Sequence, residues 1–510
     1  MGLTILLILP LIGAVIAAFV PLRECGRVAA LTTLVQVGFV IPLLIHFKTS
    51  AGLQGLVNEV WISELGIHFA LGLDGLSIFM VALTVGAWTI ATFAASYREW
   101  DRPRLFYVLL AVAETGTLGA FLAQDLILFI LFFDLLLVPF YMLIGIWGQS
   151  SDDVERRAAT LKFIVYTMAG SLLMLAAAVG LGVTAAAQNN SDLSFLFVDL
   201  AGTPVSSGAQ QLIFIGFALA LLVKMPIPPL HGWMRDTYRA TPLPVLIALS
   251  AVVAKLGAYG FLRIVLPLLP TAAHDFQDVM LVLAIVGIVY GSVMAFSQDN
   301  ARLVVGYSSI AQIGFVLLGI FALDPKGSEG AILQMVNHGI VVIALFLIIG
   351  YLAERAGSES LSRMGGLAKR APVFAALFLI VTLATLAMPG SANFVGELYI
   401  LFGAFSEVFW FGVVATVGVV LSAVYMIRFF QRSMHNRESA EGRSRELDGA
   451  ELGLLVPAVL AILALAVYPQ YLVEKVAPAA KNATAAAAAT SGTRDAKSTS
   501  LLKLPPGGGQ

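Results

Sequence analysis

Charge is what this chain has least of. Of its 510 residues only 12% are charged and 59% are hydrophobic, whereas a soluble domain carries about 25% charged residues. An ordinary water-soluble fold is excluded, and no polar stretch is long enough to form even one soluble domain. The two signs nearly cancel, 30 Lys and Arg against 31 Asp and Glu, so nothing in the charge suggests a nucleic-acid partner. Cysteine is almost missing. The single Cys25 excludes a disulfide framework, a cysteine-rich zinc site and an iron–sulfur cluster held by this chain alone. Metal-ligand spacings, phosphate-cradling glycine loops and nucleophile elbows are missing too, so we expect no metal site and no bound cofactor.

What is there is long apolar runs. A helix needs about 20 apolar residues to cross the hydrocarbon core. On that measure the chain has fourteen candidate spans, near 3–21, 27–46, 72–96, 106–124, 127–147, 159–184, 210–232, 244–265, 277–296, 302–321, 331–354, 372–405, 411–431 and 452–469. The expected fold is an all-α polytopic membrane protein. The first span lacks the basic start of a signal peptide, the first Lys or Arg being Arg23, and reads as retained.

Loop charges test the count. Loops after odd-numbered spans hold eighteen Lys and Arg, among them Arg23, Arg102, Arg157, Arg239, Arg370, Arg437 and Arg443; loops after even-numbered spans hold two, Lys48 and Lys326. A missed or invented span would smear this alternation. It predicts odd loops in the cytoplasm and both termini outside. Trp100, Trp147 and Trp233 sit beside positive loops, as interfacial anchors would. The tail 477–510 is Ala-rich, then Ser/Thr-rich, and reads as low-complexity with no assigned function.

Two spans contain helix breakers. Span seven carries Lys224-Met225-Pro226-Ile227-Pro228-Pro229, and span twelve carries Met388-Pro389-Gly390-Ser391-Ala392-Asn393. Proline removes a backbone donor and its ring clashes with the preceding turn. Broken backbone at membrane depth survives only inside protein or beside a water-filled cavity. The breaks are five spans apart, and an odd offset inverts the second unit. Spans four to eight and nine to thirteen therefore read as two inverted five-helix repeats, and paired interrupted helices point to an ion pathway. The expected organisation is 1–105 for helices one to three, 106–265 and 277–431 for the repeats, 432–476 for a loop and the last span, then the tail.

Ionisable residues stand inside the spans at a cost of about 2.5–3.5 kcal/mol each. Asp134 lies in span five, Lys224 at the break of span seven, Lys255 near the middle of span eight and Glu397 after the break of span twelve. Left unpaired, these four would cost about 12 kcal/mol. Glu114 in span four and His338 in span eleven add to the set, and His231 follows the prolines. Burial disfavours the ammonium form of a lysine and a nearby carboxylate favours it, so moving one charge switches the other, as a proton relay requires. The competing reading is a set of buried ion pairs that only fix packing. His231 and His338 each read equally as satisfied polar residues. Lys162 reads as snorkelling, Asp74 as a helix cap and Arg263 as an interface anchor.

These residues resemble a known family. Lys224 through Pro229 with Leu230, His231 and Trp233, the run Ala254-Lys255-Leu256-Gly257-Ala258-Tyr259-Gly260, the run Tyr307 to Leu317, and Pro389-Gly390 with Phe394-Val395-Gly396-Glu397 look like the antiporter-like membrane subunits of respiratory complex I, NADH:quinone oxidoreductase. The resemblance covers roughly residues 70 to 430. An acid at Glu397 is similar to the M-type members, the mitochondrial subunit 4 type. Lysine there is usual in the L and N types and in multisubunit sodium/proton antiporters. The resemblance implies that Lys224 switches, Lys255 relays, His338 lies between and Glu397 is the outer proton site. Asp134 stands where the family has glutamate, one methylene longer, so its pair with Lys224 is expected to be longer and weaker; Glu114 is the rival partner.

The resemblance further implies a proton-translocating subunit without its own redox centre, FMN, iron–sulfur clusters and quinone residing in partner subunits. Neighbours are expected on both sides in the membrane arm, with lipid around them and NADH and quinone reached only through partners. The expected location is a bacterial plasma (inner) membrane, ahead of a mitochondrial inner membrane. The alternative is a subunit of a multisubunit cation/proton antiporter, or of a ferredoxin- or hydrogenase-linked complex.

Overall fold

The computed structural model describes residues 2–149, 152–203, 205–435 and 445–501, and of 51 and 491–501 the backbone alone. Among them, 13 helices are long and apolar enough to cross a membrane. The remaining expected span is the twelfth. It is divided into Pro372–Thr385 and Ala392–Glu407, each too short alone, because Pro389 and Gly390 interrupt it. The helical polytopic architecture is the one the apolar runs predict.

Contacts sort the loops into two faces. Trp147 Nε1 donates to the Asp101 carbonyl at 2.6 Å, Arg98 pairs with Glu354 at 3.3 Å, and Arg302 pairs with Glu359 at 2.5 Å. All of these join loops or helix ends after odd-numbered spans. On the other face Arg263 pairs with Asp74 at 2.7 Å, Gln211 donates to Asp275 at 2.8 Å and Gln277 to the Phe321 carbonyl at 2.9 Å. Two of the arginines counted in the loops are thus structural staples. Arg302 is buried, and so is Arg355, which grips Glu451 at 2.7 Å. Arg437 and Arg443 lie outside the described residues.

Spans eight and ten are buried along their whole length and span eleven nearly so. They form the centre. Around them, spans six, nine and thirteen turn rows such as Leu172 and Val179, Val282 and Val286, and Val417 and Val420 outward. Only lipid or another apolar protein surface covers such rows without a large hydration cost.

Four departures from the sequence reading have local causes. An antiparallel hairpin, Gln54–Ile62 with Ile67–Leu73, stands between spans two and three. A search for 20-residue apolar runs passes over it and takes the last two residues of its second strand, Gly72 and Leu73, into span three. Span five is interrupted at Leu136, between Leu126–Leu135 and Leu137–Trp147, where Pro139 lacks a donor and its ring crowds the Leu135 carbonyl. Span eight contains two π-helical segments, Leu249–Val253 and Phe261–Val265, on either side of Lys255–Gly260. Such segments cluster at functional sites. The tail is helical in Gln470–Leu501, and Lys475 Nζ donates to the carbonyls of Leu44 and Phe47 at 3.2 and 3.1 Å, a cation at the C-terminal end of span two.

Two residues are corrected. Trp233 is 2% exposed and is no interfacial anchor; its indole donates to the Val223 carbonyl at 2.9 Å, a group freed by the break in span seven. Arg263 is the part-buried ion-pair partner of Asp74 rather than an anchor at the membrane surface, and Asp74 also accepts from the backbone of Leu76 and Ser77.

Candidate functional site

The first group of the row is Asp134, at the end of the first half of span five. It is half-buried and accepts a hydrogen bond from Ser171 of span six. Lys224, the last residue of Ser207–Lys224, is 3% exposed, with Nζ 4.3 Å from the centroid of the Phe133 ring. Asp134 is the carboxylate whose charge acts on Lys224, yet the two stop short of a direct ion pair. Glu114 is elsewhere. It is buried among spans one to four with Gln36, Thr33, Trp88, Thr92 and Tyr107 around it.

The break after Lys224 leaves carbonyls without helical donors. Met225 and Ile227 donate back to Leu221 and Leu222, and Trp233 takes Val223. His231, half-buried beyond the prolines, has its Nε2 at 3.0 Å from the Tyr290 hydroxyl.

Lys255 comes next. It is 2% exposed, and Nζ donates to the Ser250 carbonyl at 2.8 Å. Ser250 belongs to the first π-helical segment, whose irregular turn leaves a carbonyl within reach of a side chain five residues on. His338 lies in the field of Lys255. Close helix approach makes this neighbourhood: a Cβ on Gly339 would come within 3.0 Å of the Ala251 carbonyl oxygen, so only glycine lets span eleven pack against that segment.

Glu397 ends the row. It is 3% exposed, with Oε1 at 3.5 Å from Gln334 Nε2. The same amide nitrogen donates to Gln312 Oε1 at 2.5 Å. Gly396 sets this contact, since a Cβ there would lie 3.0 Å from the Gln334 backbone nitrogen. Asn337 reaches across to the Ala392 carbonyl at 2.7 Å, at the start of the second half of span twelve. Ser308 and Tyr425 share a hydroxyl contact of 3.0 Å on the other side.

Sequence reasoning singled out the charges and missed the amides. Gln312, Gln334, Asn337 and Asn393 are all buried among spans ten to twelve. The signal was present as neutral polar residues on helices with no solvent face, but a neutral amide is far less costly in an apolar span than a charge and attracts less notice. Among the described residues no group of three or more His, Cys, Asp or Glu is placed to hold a metal ion.

The family described as NADH:quinone oxidoreductase/Mrp antiporter, TM, matches residues 123–422, which contain every member of the row. The chain belongs to this family. Within the family, NADH-quinone oxidoreductase subunit M of Escherichia coli is 37% identical over 429 residues, covering 82% of this chain and 84% of the relative. Subunit M of Rhodobacter capsulatus is 35% identical over 499 residues, covering 93% and 95%. Among solved structures, respiratory complex I from Thermus thermophilus contains a chain matching with a TM-score of 0.87 at 28% identity, over 96% of this chain and 100% of that one. A chain of the Mrp complex from Dietzia has the same fold, with a TM-score of 0.78 at 20% identity.

Proposed function

We infer that this chain is the M-type antiporter-like subunit of a respiratory NADH:quinone oxidoreductase and translocates protons in its membrane arm. One observation carries the reading: a row of ionisable groups, the half-buried Asp134 and the buried Lys224, Lys255, His338 and Glu397, is spread over five spans and includes both broken helices. Glu397 favours this over a cation/proton antiporter, whose likeness in the Mrp complex is one of fold. FMN, iron–sulfur clusters and quinone belong to partner subunits, and other membrane-arm subunits flank the chain in the bilayer.

In this reading spans four to eight and nine to thirteen are inverted repeats. The arginine face is cytoplasmic, both termini are outside, and the membrane is the bacterial plasma membrane. The Asp134 charge holds Lys224 in its ammonium form. Weakening that interaction lets Lys224 release a proton toward Lys255, and through His338 to Glu397. An amide does not carry a proton at neutral pH, so Gln312 and Gln334 orient the Glu397 carboxyl and the water that bridges to it. Glu397 delivers outward. Glu114 is off this row, buried among spans one to four.

The test is a series at Glu397 in the assembled complex. Glu397→Gln and Glu397→Ala should strongly reduce NADH-driven proton uptake into vesicles, while Glu397→Asp, which keeps a proton carrier, should be milder. Native proton output from Glu397→Gln would remove this residue from the pathway.

A further inference from the structure

The relay needs a proton supply from the arginine face. A cavity of about 350 Å³ opens there, lined by Gln149, Glu155, Asp236, Arg239, Arg302 and Glu359. Asp236 joins it to span six through an ion pair with Lys162 at 2.5 Å. Tyr307 of span ten is 3% exposed, and its neighbour Gly306 packs against Met234 and Tyr238 of Met234–Ala240, the short helix that carries Asp236. Its ring meets that of Tyr290 of span nine edge-on, with centroids 6.2 Å apart and planes at 74°. The Tyr290 hydroxyl in turn lies 3.0 Å from His231 Nε2, and His231 Nδ1 is buried with no protein partner. Tyr166 of span six closes over the same turn, its hydroxyl 2.6 Å from where a Cβ on Gly232 would stand. Three groups able to exchange protons, two on spans ten and nine and one in the turn after Lys224, thus stand between the helix that borders the polar cavity and the break at Lys224.

We propose that Tyr307, Tyr290 and His231 form the intake arm through which protons from the arginine face reach the break at Lys224. The proposal rests on the relay reading above and extends it toward the proton source. With hydrogen on Nδ1, the Nε2 lone pair of His231 accepts the Tyr290 proton as the Tyr290 oxygen takes one from Tyr307. Tyr307 is refilled from water beside Asp236. The imidazolium then gives its Nδ1 proton inward. One proton has moved, and neither phenol is left charged, which matters because a free phenol ionises only near pH 10. Histidine is suited to the inner position, since its two ring nitrogens take up and release protons on opposite sides.

Tyr290→Phe and Tyr307→Phe, each in the assembled complex reconstituted into vesicles, decide the matter, because phenylalanine keeps the ring and its packing. NADH-driven proton uptake should fall about 100-fold, the low end for loss of a positioned proton-transfer group, and the solvent deuterium isotope effect should rise as intake becomes rate-limiting. His231→Gln, which keeps a polar contact to Tyr290 but carries no proton, should show the same loss. Native rates and isotope effects in both Phe variants overturn the proposal. If one Phe variant does not assemble, the other decides by the same two outcomes. Lys255→Met is the parallel control: its failure to pump alongside native Phe variants sinks the intake arm and leaves the relay standing, whereas native pumping by Lys255→Met sinks the relay itself.

Discussion

Replacing Lys255 by methionine should stop proton transfer and leave the protein at least as stable. The side chain is buried, its ammonium makes one hydrogen bond, to the Ser250 carbonyl at 2.8 Å, and it forms no ion pair among the described residues. A lysine at the centre of a span costs about 3 kcal/mol to insert, and methionine removes that cost while filling a similar volume. The lost charged hydrogen bond to the carbonyl gives back about 2 kcal/mol. The balance is a gain of about 1 kcal/mol, so thermal melting of the purified complex should be unchanged or higher. A lysine held as one half of a buried ion pair would give the opposite sign, because breaking such a pair costs about 3–5 kcal/mol by stranding the partner charge. The assay pairs melting temperature with NADH-driven proton uptake in vesicles. Normal assembly with lost uptake is expected. Uptake at the native rate, or a complex that no longer assembles, would refute the reasoning.

Asp134→Asn should reduce proton output about fivefold or more, equivalent to losing about 1 kcal/mol of charge interaction with Lys224. Asp134→Glu should be tolerated because the longer arm brings the carboxylate nearer. Equal output from Asp134→Asn and the native protein would make this carboxylate structural. Cysteines placed at Arg102 and Lys326 should react with membrane-impermeant reagents from opposite sides; the native Cys25 is buried and adds little background. Labelling of both from one side would break the assignment of faces.

The long helices and the two breaks were legible because the bilayer leaves few alternatives. A span must be long, apolar and internally hydrogen-bonded, and proline at Pro226 or Pro389 has few other meanings there. The charges of Lys224, Lys255 and Glu397 were legible for the same reason, each being conspicuous where insertion penalises it. Less legible were features with small local signals or distant partners. The 54–73 hairpin is too short for a span search. Arg263 and Asp74 are 189 residues apart, so neither indicates the other in sequence. The first π-helical segment, Leu249–Val253, packs against spans three and eleven, contacts that no local pattern encodes. The amides at Gln312 and Gln334 acquire meaning only when span twelve brings Glu397 against them.

The most direct test of the central claim is the number of protons moved per electron pair by the assembled complex carrying Lys224→Ala. The residue sits at the break, faces the Asp134 charge without a direct pair, and is the first lysine of the row that ends at Glu397. The complex should remain in the membrane with its proton yield lost or strongly reduced. A native yield of protons per electron pair would contradict the relay at its first lysine.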